Sequence, residues 1–289
     1  MHKDQLRAKI YSKIEELPTL PSVLPRLMQR MEDETVSASH VADIIGGDPA
    51  LTSKILKAAN SAYYGFPQEI DTLERAVALL GFNMVRSLAL SIGIMHSLPT
   101  GIRSSHFSEE GLWTHSLAVA RAMERLGRKA RPGKPRDHLF VVGLLHDIGK
   151  VVLIEFFRET FVQALEEAQR PETALLHVAE RDLFGFDHGE VGAMLLTRWK
   201  IPPVIAGPIG VHHDKDFPEG MDDADVALLR LSDALCQNLG LGEGGSLTPV
   251  DLPDQDLGVL RVEEEGLQDV KEHLEASREA VEGFFKSLG

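Results

Sequence analysis

The run Val142-Gly-Leu-Leu-His-Asp-Ile-Gly-Lys150 sets a histidine beside an aspartate at the end of an apolar stretch. Burying an imidazole and a carboxylate together costs several kcal/mol unless something pairs with them, and a divalent cation is the usual partner. Gly149 reads as the residue that permits the turn ending such a helix. Other ligand-capable side chains recur inside apolar helical segments: His115, His188, His212, His213 and Asp233. Asp233 stands among Leu228, Leu229, Leu231 and Leu235, where a carboxylate without a partner is costly. Taken singly, each histidine reads more readily as a satisfied core residue than as a ligand. Together with His146 and Asp147 they form an ordered set of imidazoles and carboxylates, a donor mixture suited to Fe, Mn, Ni, Co or Zn.

Such side chains need a scaffold, and the chain reads as helix after helix. Leu6, Ile10 and Ile14 mark a first helix, stopped by Pro18 and Pro21; Val23, Leu24, Leu27 and Met28 mark a second. Gly46 and Gly47 break a helix, and Asp48-Pro49 starts the next with Asp48 as N-cap. Asp71 with Glu74, and Asp187 with Glu190, suit capping boxes; the second places His188 in the first turn of its helix. Val85 to Leu98 is apolar nearly all round and reads as core. The expected architecture is all-α: an amino-terminal helical lobe over 1–105, a metal-binding lobe over 106–240, and a loop with a carboxy-terminal helical tail over 241–289, its helix running from Glu263 to Phe285. Asn60, Tyr63 and Tyr64 follow a capped helix and suit either aromatic packing or contact with a partner.

Composition narrows the function classes. Lys and Arg number 30 against 44 Asp and Glu, a formal charge of -14, so the surface as a whole repels nucleic acid and anionic membrane. Arg125, Arg128, Lys129, Arg131, Lys134 and Arg136 are the local exception, either a solvated loop or a site for phosphate or an acidic partner. The single cysteine, Cys236, lies among leucines and excludes an internal disulfide. No apolar signal core opens the chain and no apolar run suits a membrane span, so a soluble, cytoplasmic protein is expected.

Longer collinear motifs carry a resemblance. Leu17-Pro-Thr-Leu-Pro-Ser-Val-Leu-Pro25, Val41-Ala-Asp-Ile-Ile45, Asp48-Pro-Ala-Leu-Thr-Ser-Lys-Ile-Leu56, Ala59-Asn-Ser-Ala-Tyr63 and Leu73-Glu-Arg-Ala-Val-Ala-Leu-Leu-Gly81 resemble the HDOD domain family, over roughly Leu17 to Leu239. The resemblance implies an all-helical bacterial signalling module related to HD-superfamily phosphohydrolases, acting through an unidentified signalling protein partner. The order His, His-Asp, His, His-His, Asp resembles the ligand set of two-metal HD phosphohydrolases. Carried over residue by residue, His115, His146, Asp147 and Asp233 hold one ion, His188, His212 and His213 hold a second, and Asp147 bridges. Lys150 matches the lysine that contacts substrate phosphate, making Asp147 and Lys150 the catalytic candidates. Most HDOD relatives lack several of these ligands, which sets this chain nearer an active HD domain. The Gly-Tyr-Pro element of the cyclic-dinucleotide hydrolases is missing, since residues 212–218 read His-His-Asp-Lys-Asp-Phe-Pro. The function expected first is a signal-transduction or regulatory module that binds one or two metal ions in its metal-binding lobe; the alternative is a metal-dependent phosphohydrolase acting on a nucleotide or other phosphoester.

Overall fold

The computed structural model describes residues 3–29, 38–99, 101, 103–104, 107–130, 138–170, 175–217, 219–245 and 250–288. It is all-α apart from one two-stranded antiparallel ladder, β1 (Arg103–Ser104) with β2 (Phe107–Ser108), paired Arg103 to Ser108 and Ser104 to Phe107. The helices are α1 (Lys3–Glu16), α2 (Val23–Gln29), α3 (Ala38–Gly46), α4 (Pro49–Ala59), α5 (Leu73–Leu80), α6 (Phe82–Met95), α7 (Glu109–Ala130), α8 (His138–Leu145), α9 (Ile148–Phe156), α10 (Arg158–Glu167), α11 (Leu176–Phe184), α12 (His188–Arg198), α13 (Pro203–Val211), α14 (Asp223–Asn238), α15 (Asp254–Leu260), α16 (Glu264–Ala276) and α17 (Arg278–Leu288). Among the described residues no single helix is long and apolar enough to cross a membrane. The chain forms two compact units, one of residues 1–17 and 99–276, the other of 18–98 and 277–289. The sequence reading divides the chain after residues 105 and 240; the compact units divide it after 17, 98 and 276.

In the smaller unit α6 is the axis, with every residue from Val85 to Ile94 buried. Helices α2, α4 and α5 pack around it. Buried Arg86 within this apolar helix lies over the Phe82 ring, 5.2 Å from its centroid, a contact that suits a guanidinium. The Asp48 cap is present, its carboxylate accepting from Leu51 N at 3.0 Å with Pro49 opening α4. For α5 the cap is Thr72, accepting from Arg75 N at 3.2 Å, rather than the Asp71 of the expected box. Asn60 is committed to the backbone: its amide donates to Leu56 O and Ile70 O, and its oxygen accepts from Ile70 N at 2.7 Å. Tyr63, only 7% exposed, meets Tyr64 and the Phe284 ring of α17 edge-on, so this cluster holds the unit together.

The larger unit is built on α7, which packs on α8, α14 and α16, while α12 packs on α9 and α13. Arg198 of α12 donates to Glu15 O and Leu17 O and so fastens the end of α1. Two glycines set the closest crossings. A Cβ on Gly143 would run into the Ala120 backbone of α7, and one on Gly149 would overlap the His188 carbonyl oxygen and meet Gly192 N at 2.7 Å. Gly149 is therefore not the helix terminator that its position after His-Asp suggests. The break falls earlier, between α8 and α9, and Gly149 is inside α9, where its missing side chain lets α12 approach. The tail differs too: α16 and α17 are separate helices that serve different units, and the short α15 precedes them. Loop residues 131–136 of the basic run lie outside the described residues.

Candidate metal centre

All seven ligand-capable side chains and Lys150 gather at one place in the larger unit. His115 comes from the first half of α7, and His146 and Asp147 from the α8–α9 break. His188 opens α12, His212 and His213 follow the end of α13, and Asp233 sits on α14. The capping reading is met at α12, where Asp187 accepts from Glu190 N at 3.0 Å and holds His188 in the first turn. Three overlapping groups have ligand atoms all within 4.8 Å of one another: His188, His212 and His213; His115, His146 and Asp147; and His146, His212 and Asp233. His212 thus belongs to both halves of the cluster. Asp147 spans them with its two oxygens, Oδ1 at 3.1 Å from His188 Nε2 and Oδ2 at 3.4 Å from His146 Nε2.

The ring orientations select one tautomer. His115 Nδ1 faces Leu241 O at 3.1 Å, His146 Nδ1 faces Gly143 O at 2.8 Å, and His212 Nδ1 faces Ile209 O at 2.7 Å. A carbonyl oxygen only accepts, so His146 and His212 carry the proton on Nδ1 and present an Nε2 lone pair to the centre, whereas His115 Nε2 also faces an acceptor, Asp233 Oδ1 at 2.8 Å. His146 Nε2 and His212 Nε2 are buried with no hydrogen-bond partner among the described residues. Lone pairs and carboxylates converging in a buried space repel one another unless a cation lies between them, so the donor set fits a divalent metal.

The fourth ring shows a residue that sequence reasoning missed. Glu180 of α11 is fully buried, and its Oε2 accepts from His188 N at 2.9 Å and from His188 Nδ1 at 2.6 Å. A carboxylate behind a histidine fixes the tautomer and raises the basicity of the far nitrogen. The signal was present, because Glu180 shares a helix face with buried Leu176, Ala179 and Phe184. A glutamate on an apolar face calls for a partner. Glu180→Ala is expected to weaken metal binding by about 10- to 100-fold, and Glu180→Gln, whose amide oxygen still accepts, by less. Calorimetric titration of metal into each variant checks this; equal losses would remove the positioning role.

Charge in the centre follows from the same contacts. Burial pushes the Asp147 carboxyl up, but His146, Lys150 and His188 outweigh it and hold it well below the usual carboxylate range. Asp233 is likewise held low against burial by its contact with His115 Nε2 at 2.8 Å and by the nearby His146. Burial, with the neighbouring His188 and His146, drives His212 down to about 3, and burial with His212 and His177 pushes His213 down as well. His188 is the exception: burial lowers it, yet Glu180 holds it at about 9.

Lys150 is buried, its Nζ donating at 2.6 Å to both Asp147 Oδ2 and Gly244 O. Beside it opens a cavity of about 420 Å³. Its lining includes Lys150, His188, His212 and Asp233 of the cluster together with Lys215, Arg230 and Asp256. Leu175, Leu176 and Pro253 give it apolar walls. The space suits a small organic ligand.

A family model for the HDOD domain matches residues 17–215. An uncharacterized protein of Treponema pallidum (strain Nichols) is 27% identical over 210 residues, covering 73% of this chain and 40% of that protein. The chain therefore spans less than half the length of that curated relative. Among solved structures, an HDOD domain protein of unknown function from Geobacter sulfurreducens superposes with a TM-score of 0.77 at 28% identity, covering 98% of this chain and 99% of that one. A candidate phosphohydrolase from Shewanella amazonensis SB2B shares the fold, with a TM-score of 0.74 at 22% identity and 97% and 98% coverage. The family match extends over more than half of the sequence and the all-helical fold agrees with it: the chain belongs to the HDOD domain family.

Proposed function

We propose that this HDOD protein binds one or two divalent transition-metal ions and hydrolyses a phosphoester, with a nucleotide or a similar small phosphorylated compound as substrate. The observation that carries the reading is the convergence of imidazole lone pairs and two carboxylates on one buried centre beside an open cavity. His115, His146, Asp147 and Asp233 would hold one ion and His188, His212 and His213 the other, with Asp147 shared. Bound divalent ions supply Lewis acidity toward a phosphoryl oxygen and acidify water. The chain's own residues do the rest. Asp147 and Asp233 offset the metal charge, Glu180 orients His188, and Lys150 and Lys215 attract the anionic end of the substrate. The apolar walls keep bulk water from the remainder of the ligand.

One observation favours a second reading, a regulatory module that binds metal and ligand without turnover and acts through a signalling partner. Lys150 Nζ is engaged by Asp147 and Gly244 O, so it reaches a phosphate only if it gives up those bonds. The test is a screen of nucleotides, cyclic dinucleotides and generic phosphoesters on metal-loaded wild type, with Asp147→Asn as the control. Turnover abolished in Asp147→Asn is expected; turnover that persists there unchanged would sink the catalytic assignment. Full metal occupancy with no turnover on any phosphoester would leave the module reading.

A further inference from the structure

A second cavity in the larger unit, about 340 Å³, lies between α7 and α16, and its lining is ionic. From α7 come Arg121, Glu124, Arg125, Arg128 and Lys129; from α16 comes His273, with Asp269 one turn away. Arg125 grips Asp269 with two bonds, Nε at 3.0 Å and Nη2 at 2.8 Å, and Lys129 Nζ reaches the same carboxylate at 2.9 Å. Arg121 Nε donates to His273 Nε2 at 3.0 Å. Burial together with Arg121 and Arg125 holds His273 below its ordinary value, so it meets Arg121 as a neutral acceptor and adds no positive charge. Among the described residues, four cations and Glu124 thus line a concave site with Asp269 beside it, within a chain whose net charge is -14.

Two alternatives fit this pattern less well. A solvated basic face needs no concavity, and among the described residues the cations of this network outnumber its carboxylates. We infer that the α7–α16 cavity binds the pyrophosphate-like group of a small soluble phosphorylated ligand, with Arg121 and Arg128 as its principal contacts and Asp269 as an internal anion that occupies Arg125 and Lys129 in the free state. Arginine forks match phosphate oxygens in geometry and charge, and a concave basic site concentrates the field on a compact polyanion. Helix α16 lies beyond the residues matched by the family model, so this cavity depends on the carboxy-terminal part of the chain. The inference does not rest on the metal centre.

The test titrates inorganic pyrophosphate into the metal-free full chain in the presence of chelator, by calorimetry at about 0.15 M salt, where exposed charges are screened beyond about 8 Å. Saturable binding at one site is expected. The double substitution Arg121→Gln with Arg128→Gln should weaken it by about tenfold or more, as two charge-assisted contacts are lost. Asp269→Asn, which releases Arg125 and Lys129, should tighten it. The His273 imidazole resonances should move on saturation in wild type and stay fixed in the double variant, whose metal content and thermal melting should match wild type. Absence of saturable binding would overturn the proposal. So would binding that survives the double substitution or that disappears with Lys150→Ala, since it would then belong to the metal centre. Binding of poly-glutamate without pyrophosphate would replace the small ligand by an acidic polypeptide and overturn it equally.

Discussion

Asp147→Asn is expected to lose metal from both halves of the centre, with affinity falling by about 100-fold or more, a loss larger than the range typical for an outer-shell partner. The reason lies in position and charge. Asp147 Oδ1 faces His188 and Oδ2 faces His146, so a single carboxylate serves both groups. An amide keeps the shape and one acceptor but removes the negative charge that two bound cations would share. His188→Ala should empty only the group of His188, His212 and His213. Elemental analysis after mild purification gives the stoichiometry, and far-ultraviolet circular dichroism checks that the helices remain. Wild-type metal content in Asp147→Asn would exclude a bridging role, and equal losses in the two variants would exclude separable sites.

The second large effect is on stability. Gly149→Ala should destabilise the larger unit by about 3 kcal/mol, at the upper end of typical overpacking costs, and lower Tm by about 6–12 °C. The added methyl meets the His188 carbonyl and Gly192 N, which are backbone atoms of α12, so no side chain swings away and the helix itself must move. Because His188 is the residue struck, metal affinity should fall together with Tm. The mirror case on the other crossing, Gly143→Ala against the Ala120 backbone, should lower Tm by a similar amount. A Gly149→Ala protein that melts like wild type would mean that α9 and α12 are free to separate. Differential scanning calorimetry with and without metal makes the measurement.

These residues also show how far the chain is legible without coordinates. The helices announce themselves by apolar periodicity and by caps such as Asp48 and Asp187, whose side-chain bonds form locally and need no tertiary partner. The ordered histidines and aspartates were readable because polar groups in apolar helices stand out. Glu180 was hidden for the opposite reason: its flanks, Ala179 and Arg181, make it look like an ordinary solvated glutamate, and only the helix face reveals its burial. Gly149 was misread because a glycine after a polar pair obeys the same local rule whether it ends a helix or admits a neighbour. The neighbour, α12, begins almost forty residues later in the chain. The expected capping box at Asp71 shifted to Thr72, a one-residue change that local chemistry tolerates. The tail was read as one helix because its amphipathic pattern continues across Ser277, although α16 and α17 bury their faces in different units.

That division of the tail bears on how the protein is made. The smaller unit takes residues 18–98 and then waits for 277–289, since Phe284 of α17 packs on Tyr63. A ribosome adding about 5–20 residues per second needs roughly 10–40 s to travel from Leu98 to Phe284. For that interval the buried surface around Tyr63 has no α17 to cover it, while the larger unit is being synthesised in between. Closure of the earlier unit is therefore a late event in biosynthesis, and a chain truncated before Phe284 leaves it open whatever the state of the metal centre.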